Sequence, residues 1–284
     1  MKPPPVVLTL LLGWICLPLY ALVNSGNPGG NTEAPTGKGY EPSDPGFAHA
    51  GRSGSASGVY LGNGWVLTAG HNPAGKFRSK PYIGEWDKVN DIKFKEADLR
   101  LYKLNKTFEE LPPLSIADRP PEPDELLVMI GCGFAAEDHI TFWKVDQSKK
   151  KWTWVELPSA EGANAAGILA INRYSKSWGT NRALELPPDV EGLIVTSFDS
   201  SPELITPYEA QAVTADSGGP VFVQTSEGWK LCGIMVTVSN TLPNQPRGEG
   251  IRFGIGSGVF GNQTVMVDLS THREVIFEIT GLPE

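Results

Sequence analysis

Short apolar runs bounded by turn-forming residues set the narrowest limit on what this chain can fold into. Gly58-Val-Tyr-Leu, Gly64-Trp-Val-Leu-Thr, Leu99-Arg-Leu-Tyr-Lys-Leu and Leu126-Leu-Val-Met-Ile-Gly are followed by Ile140-Thr-Phe-Trp-Lys-Val, Lys151-Trp-Thr-Trp-Val, Leu193-Ile-Val-Thr, Pro220-Val-Phe-Val and Trp229-Lys-Leu-Cys-Gly-Ile-Met-Val. Their β-branched and aromatic residues suit a pleated, half-buried surface. Many short strands separated by turn signals predict an all-β sandwich or barrels, not alternating βα units. The 32 glycines and 24 prolines, about a fifth of the 284 residues, argue the same way against a helical bundle. With 40% apolar residues the chain can bury a core, as one large domain or two of roughly 130 residues. A net charge of −8 gives no support for gripping a phosphate backbone, so nucleic acid is not an expected partner.

The first segment reads as a leader. Lys2 precedes the apolar run Val6 to Leu17, which Pro18 ends. Cleavage after Ala21 and cleavage after Ser25 are both open, and 1–23 is taken as the signal peptide. An uncleaved membrane anchor reaching Val23 is the alternative. Export implies a secreted or periplasmic location. It also leaves Cys132 and Cys232 in an oxidising compartment, as one disulfide or as two buried thiols. Three cysteines are too few and too scattered for a zinc pattern, and neither metal nor cofactor is expected.

From Asn24 to Gly58, nine glycines and four prolines read as an irregular arm, taken as 24–57. Five prolines between Pro112 and Pro123 mark a linker between a first β-unit at 58–118 and a second at 119–284. The second holds an insertion at about 139–202, whose tryptophans form either a lid or partner surface or a small core of their own. Asp146-Gln-Ser-Lys-Lys-Lys reads as a solvated hairpin tip. The end looks helical, with Ser270 as cap, a stripe of Val275, Ile276 and Ile279, and Gly281 as stop.

The sharpest chemical signal is Thr214-Ala-Asp-Ser-Gly-Gly-Pro-Val-Phe222. A serine beside two glycines has a reachable hydroxyl, and serine needs a base to take its proton. Of four histidines, His71 ends a strand in small residues, Gly64-Trp-Val-Leu-Thr-Ala-Gly-His, where a ring can lie open to a cleft. His49 falls in the arm, His139 at the start of the insertion and His272 in the terminal helix, where structural roles suffice.

In these places the chain resembles the trypsin-like, or chymotrypsin-like, serine proteases. Trp65-Val-Leu-Thr-Ala-Gly-His71 looks like the family's Trp-Val-Leu-Thr-Ala-Ala-His, Ala97-Asp98-Leu-Arg-Leu like its Asp-Ile-Ala-Leu, and Asp216-Ser217-Gly-Gly-Pro completes the set. The order His, Asp, Ser is the one that this fold uses. The resemblance implies two six-stranded antiparallel β-barrels with a short C-terminal helix, and a triad of Ser217 as nucleophile, His71 as base and Asp98 as its orienter. Asp87 and Asp91 are the nearby alternatives to Asp98. The triad spacing, 27 residues then 119, implies a trimmed first barrel and an enlarged second, similar to exported bacterial members.

The resemblance also assigns an oxyanion hole to the backbone N–H groups of Ser217 and Ala215, where the family has glycine. If the turn requires positive φ, Ala215 carries roughly 1–2 kcal/mol of strain or flips and removes a donor. Asp216 usually pairs with a freshly cut terminus beginning Ile-Val-Gly-Gly; no such tetrapeptide precedes His71, so its ion-pair partner stays open. Gln211 falls at the pocket floor in place of the aspartate that selects Lys or Arg. Val236, Thr237 and Val238 replace the segment that pairs with substrate; either Val238 narrows the pocket toward small apolar side chains, with Gly256 as a further candidate, or the valines are plain strand packing. The expected function is an exported, monomeric serine endopeptidase acting on protein or peptide. The alternatives are an inactive protease-like binding module and an esterase using the same triad. Asn105-Lys-Thr and Asn262-Gln-Thr are glycosylation sequons relevant to a eukaryotic secretory route.

Overall fold

The computed structural model describes residues 20–25, 31–148, 150–239 and 242–283. Most of the expected leader therefore lies outside the described residues. The protein is all-β, with two curled β-units and one short C-terminal helix.

The first unit is one antiparallel sheet in the spatial order Tyr82–Gly84, Phe77–Ser79, Ala50–Ser53, Ala56–Gly62, Trp65–Ala69, Leu99–Leu104 and Trp86–Lys93. It has seven strands where six were expected. Arg52 pairs with Ser57 and Arg78, so the end of the Gly/Pro-rich segment is a sheet strand and not a free arm. Even-numbered Tyr60, Val66 and Tyr102 point to one face of this sheet, into a cluster with Phe77 and Phe108. Odd-numbered Val59, Leu67 and Leu101 point to the other, where they share a core with Val128, Ile130, Phe222 and Ile234 of the second unit. The period of two that makes a strand thus also joins the halves.

The second unit departs further from a six-stranded barrel. One six-stranded sheet runs Ser177–Arg182, Leu126–Gly131, Pro220–Thr225, Gly228–Ser239, Gln263–Asp268 and Leu193–Ser197. A second six-stranded sheet runs Tyr20–Ala21, Phe134–Ala136, Ala165–Tyr174, Thr141–Asp146 and Thr153–Leu157, with Ser257–Val259 also paired to Ala165–Tyr174. The insertion supplies the strands that enlarge it. Trp143, Val145 and Val259 are buried there with Trp152 and Trp154 packed on them, so these aromatics form a core of their own. Trp178 stands apart, within the core shared by the two units.

The segment about Ala21 to Asn24 belongs to the fold. Tyr20–Ala21 pairs with Ala135 and Ala136, Val23–Asn24 pairs with Ala210–Gln211, and Ala21, Leu22 and Val23 have no exposed surface. A leader extending to residue 23 would remove these buried residues from the second unit. The proline-rich linker is likewise fastened, through Leu114 N–H to Leu61 O and Ala117 N–H to Leu231 O.

The terminal helix spans Arg273–Thr280 behind a 3-10 turn at Ser270–His272, and Gly281 closes it at φ 64°. Ser270 does not cap it; the Asp268 carboxylate accepts the Ser270 N–H and hydroxyl instead. Ile276, Phe277 and Thr280 are the buried residues, and Val275 is 46% exposed, so the buried face is not the expected stripe of Val275, Ile276 and Ile279. No helix among the described residues is long and apolar enough to cross a membrane.

Candidate active site

His71 and Asp98 are brought together by register. Ala69 lies opposite Leu99, so the residues just beyond one strand and just before the other sit at the same sheet end. Gly70 N–H donates to Asp98 O at 2.8 Å, and a side chain on Gly70 would press on the Asp98 carboxylate. His71 Nδ1 then meets Asp98 Oδ2 at 2.6 Å, with the two side chains 48% and 39% exposed. Proton on Nδ1 leaves the Nε2 lone pair free, as a base requires. The alternatives lie elsewhere: Asp87 accepts the Val89 and Asn90 N–H groups, and Asp91 faces Arg100 at 3.5 Å.

Ser217 comes from the second unit, at the turn before Pro220–Thr225. Its hydroxyl donates to Val236 O at 3.3 Å and makes no hydrogen bond to His71 here. Gly218 has φ 91°, and a Cβ there would strike Ser57 O and Thr68 Oγ1, so the first unit presses directly on this turn. Ala215 adopts φ 73°, the strained conformation rather than a relaxed alternative. Thr214 O accepts Phe134 N–H at 3.2 Å, which turns the Ala215 N–H of the same peptide the opposite way. Neither Ala215 N–H nor Ser217 N–H has an acceptor among the described residues.

His71, Asp98, Ser217, Ala215 and Val236 to Val238 line one cleft of about 570 Å³ between the units. Gln211 does not. It is fully buried on the strand opposite Val23, its Nε2 donating to Ala212 O and Ser257 O, while its neighbours Ala212 and Val213 line the cleft. Gly256 is also absent from the wall, which Phe253, Gly254 and Ile255 form instead. Phe134 and Tyr174 complete it, and no sequence signal distinguished these aromatics from core.

Asp216 is fully buried, and among the described residues no cation faces it. Its carboxylate accepts Gly133 N–H and Val213 N–H, each at 2.9 Å, and the backbone N–H of Leu22. The expected ion pair is therefore a set of three amides. Burial pushes its pKa up to about 7, against the pull of those bonds. Glycine at 131 and 133 makes the slot, since a Cβ at either would overlap Asp216. Leu22 itself sits at φ 59°, a strained position for a side-chain-bearing residue.

The remaining candidates are structural. His49 is buried with Nδ1 against Tyr60 O at 2.8 Å, and burial lowers its pKa. His139 is exposed beside Glu137 and Asp138, and His272 packs edge-on to Phe94. Cys132 and Cys232 are free buried thiols, not a disulfide. Burial pushes the Cys132 thiol up to about 12. Asn262 is fully buried and pairs twice with Gln245, which closes the second sequon in the folded protein. Among the described residues no group of three or more His, Cys, Asp or Glu is placed to hold a metal ion.

No family model matches the chain, and no curated protein matches it. Among solved structures it is similar to neuropsin, a serine protease expressed in the limbic system of mouse brain, at 14% identity and a TM-score of 0.49, over 88% of this chain and 97% of that one.

Proposed function

We propose that the protein is an exported serine endopeptidase. The observation that carries this is the His71–Asp98 pair opening onto the same cleft as Ser217, beside two backbone N–H groups with no acceptor among the described residues. Ser217 Oγ turns from Val236 O to His71 Nε2, gives up its proton there and bonds to the substrate carbonyl carbon. The carbonyl oxygen, now negative, is received by Ala215 N–H and Ser217 N–H. His71 returns the proton to the leaving amine as the C–N bond breaks, and water repeats the sequence on the acyl-enzyme.

Beyond Ile234, opposite Pro220, one edge of Gly228–Ser239 has no strand partner among the described residues, so a peptide can add alongside Val236 to Val238. Ala212, Val213, Val236, Val238 and Ile255 make the adjoining wall apolar, and among the described residues Asp98 is the only acidic side chain in the cleft. Small apolar residues before the scissile bond are favoured over Lys or Arg. A fluorophosphonate probe is expected to form one adduct, on Ser217, and peptide-library cleavage to show this preference. Folded protein that takes no label contradicts the reading. A binding module of faded activity is the second reading, favoured by the Ser217–Val236 bond and the strained Ala215, and that outcome would establish it.

The reading extends to maturation at Ala21–Leu22. This peptide bond is buried once the protein folds, so the cut must precede folding, as leader removal during export does. It converts the Leu22 amide at Asp216 into an ammonium and releases the strained φ of Leu22. Uncut, Asp216 titrates near 7, so the folded chain holds a proton that the unfolded chain has released. Stability therefore falls as pH rises from about 4 to about 7, by roughly 1 kcal/mol or more from this group. Buried Glu209, also pushed to about 7, adds the same trend to both forms. In a chain beginning at Leu22 the ammonium favours the Asp216 carboxylate, and its contribution changes sign. Denaturant titrations of the two forms across that range are expected to diverge; parallel curves would remove the ammonium from the reading.

A further inference from the structure

We propose that Ser57, on the first β-unit, is a positioning residue for the nucleophile turn. It holds the Ala215–Asp216 peptide so that Ala215 keeps its left-handed conformation and the N–H groups of Ala215 and Ser217 stay aimed into the cleft. This rests on the proposed reading of the site.

The hydrogen bonds fix the direction of the hold. Cys132 N–H can only donate, and it reaches Ser57 Oγ at 2.8 Å, so the one hydroxyl proton of Ser57 goes to Ala215 O at 3.0 Å. The same peptide is pinned at its other end, where Asp216 N–H donates to Val213 O at 3.0 Å. Ser57 N–H also donates to Ser217 O at 3.1 Å, which Asn72 Nδ2 reaches at 2.9 Å. Thr68 Oγ1 bonds Ser57 O at 2.7 Å and accepts from Asn72 at 3.0 Å, closing the network. Ser57 and Thr68 are fully buried and Asn72 nearly so, hence water does not substitute for a lost partner.

An alanine at φ 73° relaxes by rotating its flanking peptides. Rotation of the 215–216 peptide breaks the bonds at both its ends and strands the Ser57 hydroxyl in a dry site. Removing the hydroxyl leaves one end free, so the 215–216 peptide can follow as the 214–215 peptide, which carries the Ala215 N–H, turns that donor away from the cleft. Glycine at that position has no such drive to rotate. The cost of losing Ser57 is therefore specific to alanine there.

The test compares Ser57→Ala with the double variant Ser57→Ala/Ala215→Gly, each against its own parent, the unaltered protein and Ala215→Gly. In the single variant kcat and the fluorophosphonate labelling rate are expected to fall about 10- to 100-fold with KM nearly unchanged. In the double variant most of that loss is expected to return. Ser57→Cys, of similar shape with a weak donor, gives a smaller loss and serves if the alanine variant does not fold. Equal losses in the unaltered and the Ala215→Gly backgrounds overturn the proposal. A crystal structure of Ser57→Ala supplies a readout that needs no substrate: rotation of Ala215 out of positive φ supports the proposal, and an unmoved turn overturns it. If the unaltered protein takes no label, the endopeptidase reading fails and the crystallographic comparison still decides this one.

Discussion

Ser217→Ala is expected to lower kcat by roughly 10⁶-fold while leaving the fold and thermal transition in place. The hydroxyl makes a single bond, 3.3 Å to Val236 O, so its removal disturbs little packing. The flanking Ala215 and Gly218 conformations are set by the backbone and by Ser57, not by the serine side chain. Under the proposed mechanism, what disappears is the atom that bonds to the substrate carbonyl carbon. Some acceleration over water is expected to survive, because the two cleft-facing N–H groups still receive a carbonyl oxygen. Steady-state kinetics on a peptide substrate, beside circular dichroism, check both halves; near-normal turnover by the folded variant would remove Ser217 from the reaction.

Asp98→Asn is expected to cost about 10⁴-fold in kcat with little change in KM. The pair separation of 2.6 Å and the strand register survive a change of one atom type. The hydrogen bond does not keep its sense: an amide nitrogen toward His71 forces the ring proton onto Nε2, where a lone pair is needed. Asp98 is more than a third exposed, so the effect lies in tautomer and orientation and not in a strong buried charge pair. A loss below tenfold would assign the orienting role elsewhere.

Most of what is local was legible before the fold. The apolar runs became strands, and the residues around Ala69 and Leu99 form a sheet end whose neighbours need only short-range pairing to meet. Of the two outcomes left open for Ala215, a strained positive φ or a flipped peptide, the structure has the positive φ. What escaped depends on partners remote in the chain. Leu22 meets Asp216 across 194 residues, through a strained junction that no turn motif announces. Gln211 was placed by counting back from Ser217, and the count does not tell which way a side chain points, into the core or, as for Ala212, into the cleft. Ser57 acts on main-chain carbonyls, which every residue type offers, so no pattern of side chains pointed to it. The extra strand at Ala50–Ser53 was hidden by glycines whose small size lets neighbouring chains approach, as Gly51 does against Phe77.

The halves of the cleft also differ in when they come into existence. Imidazole and carboxylate belong to the portion synthesised first, and the alcohol follows 146 residues after the imidazole. Under the proposed roles, a polypeptide still leaving the ribosome carries a base with nothing to activate. Until the alcohol has been made and the two portions share their core, that base has no partner to act on.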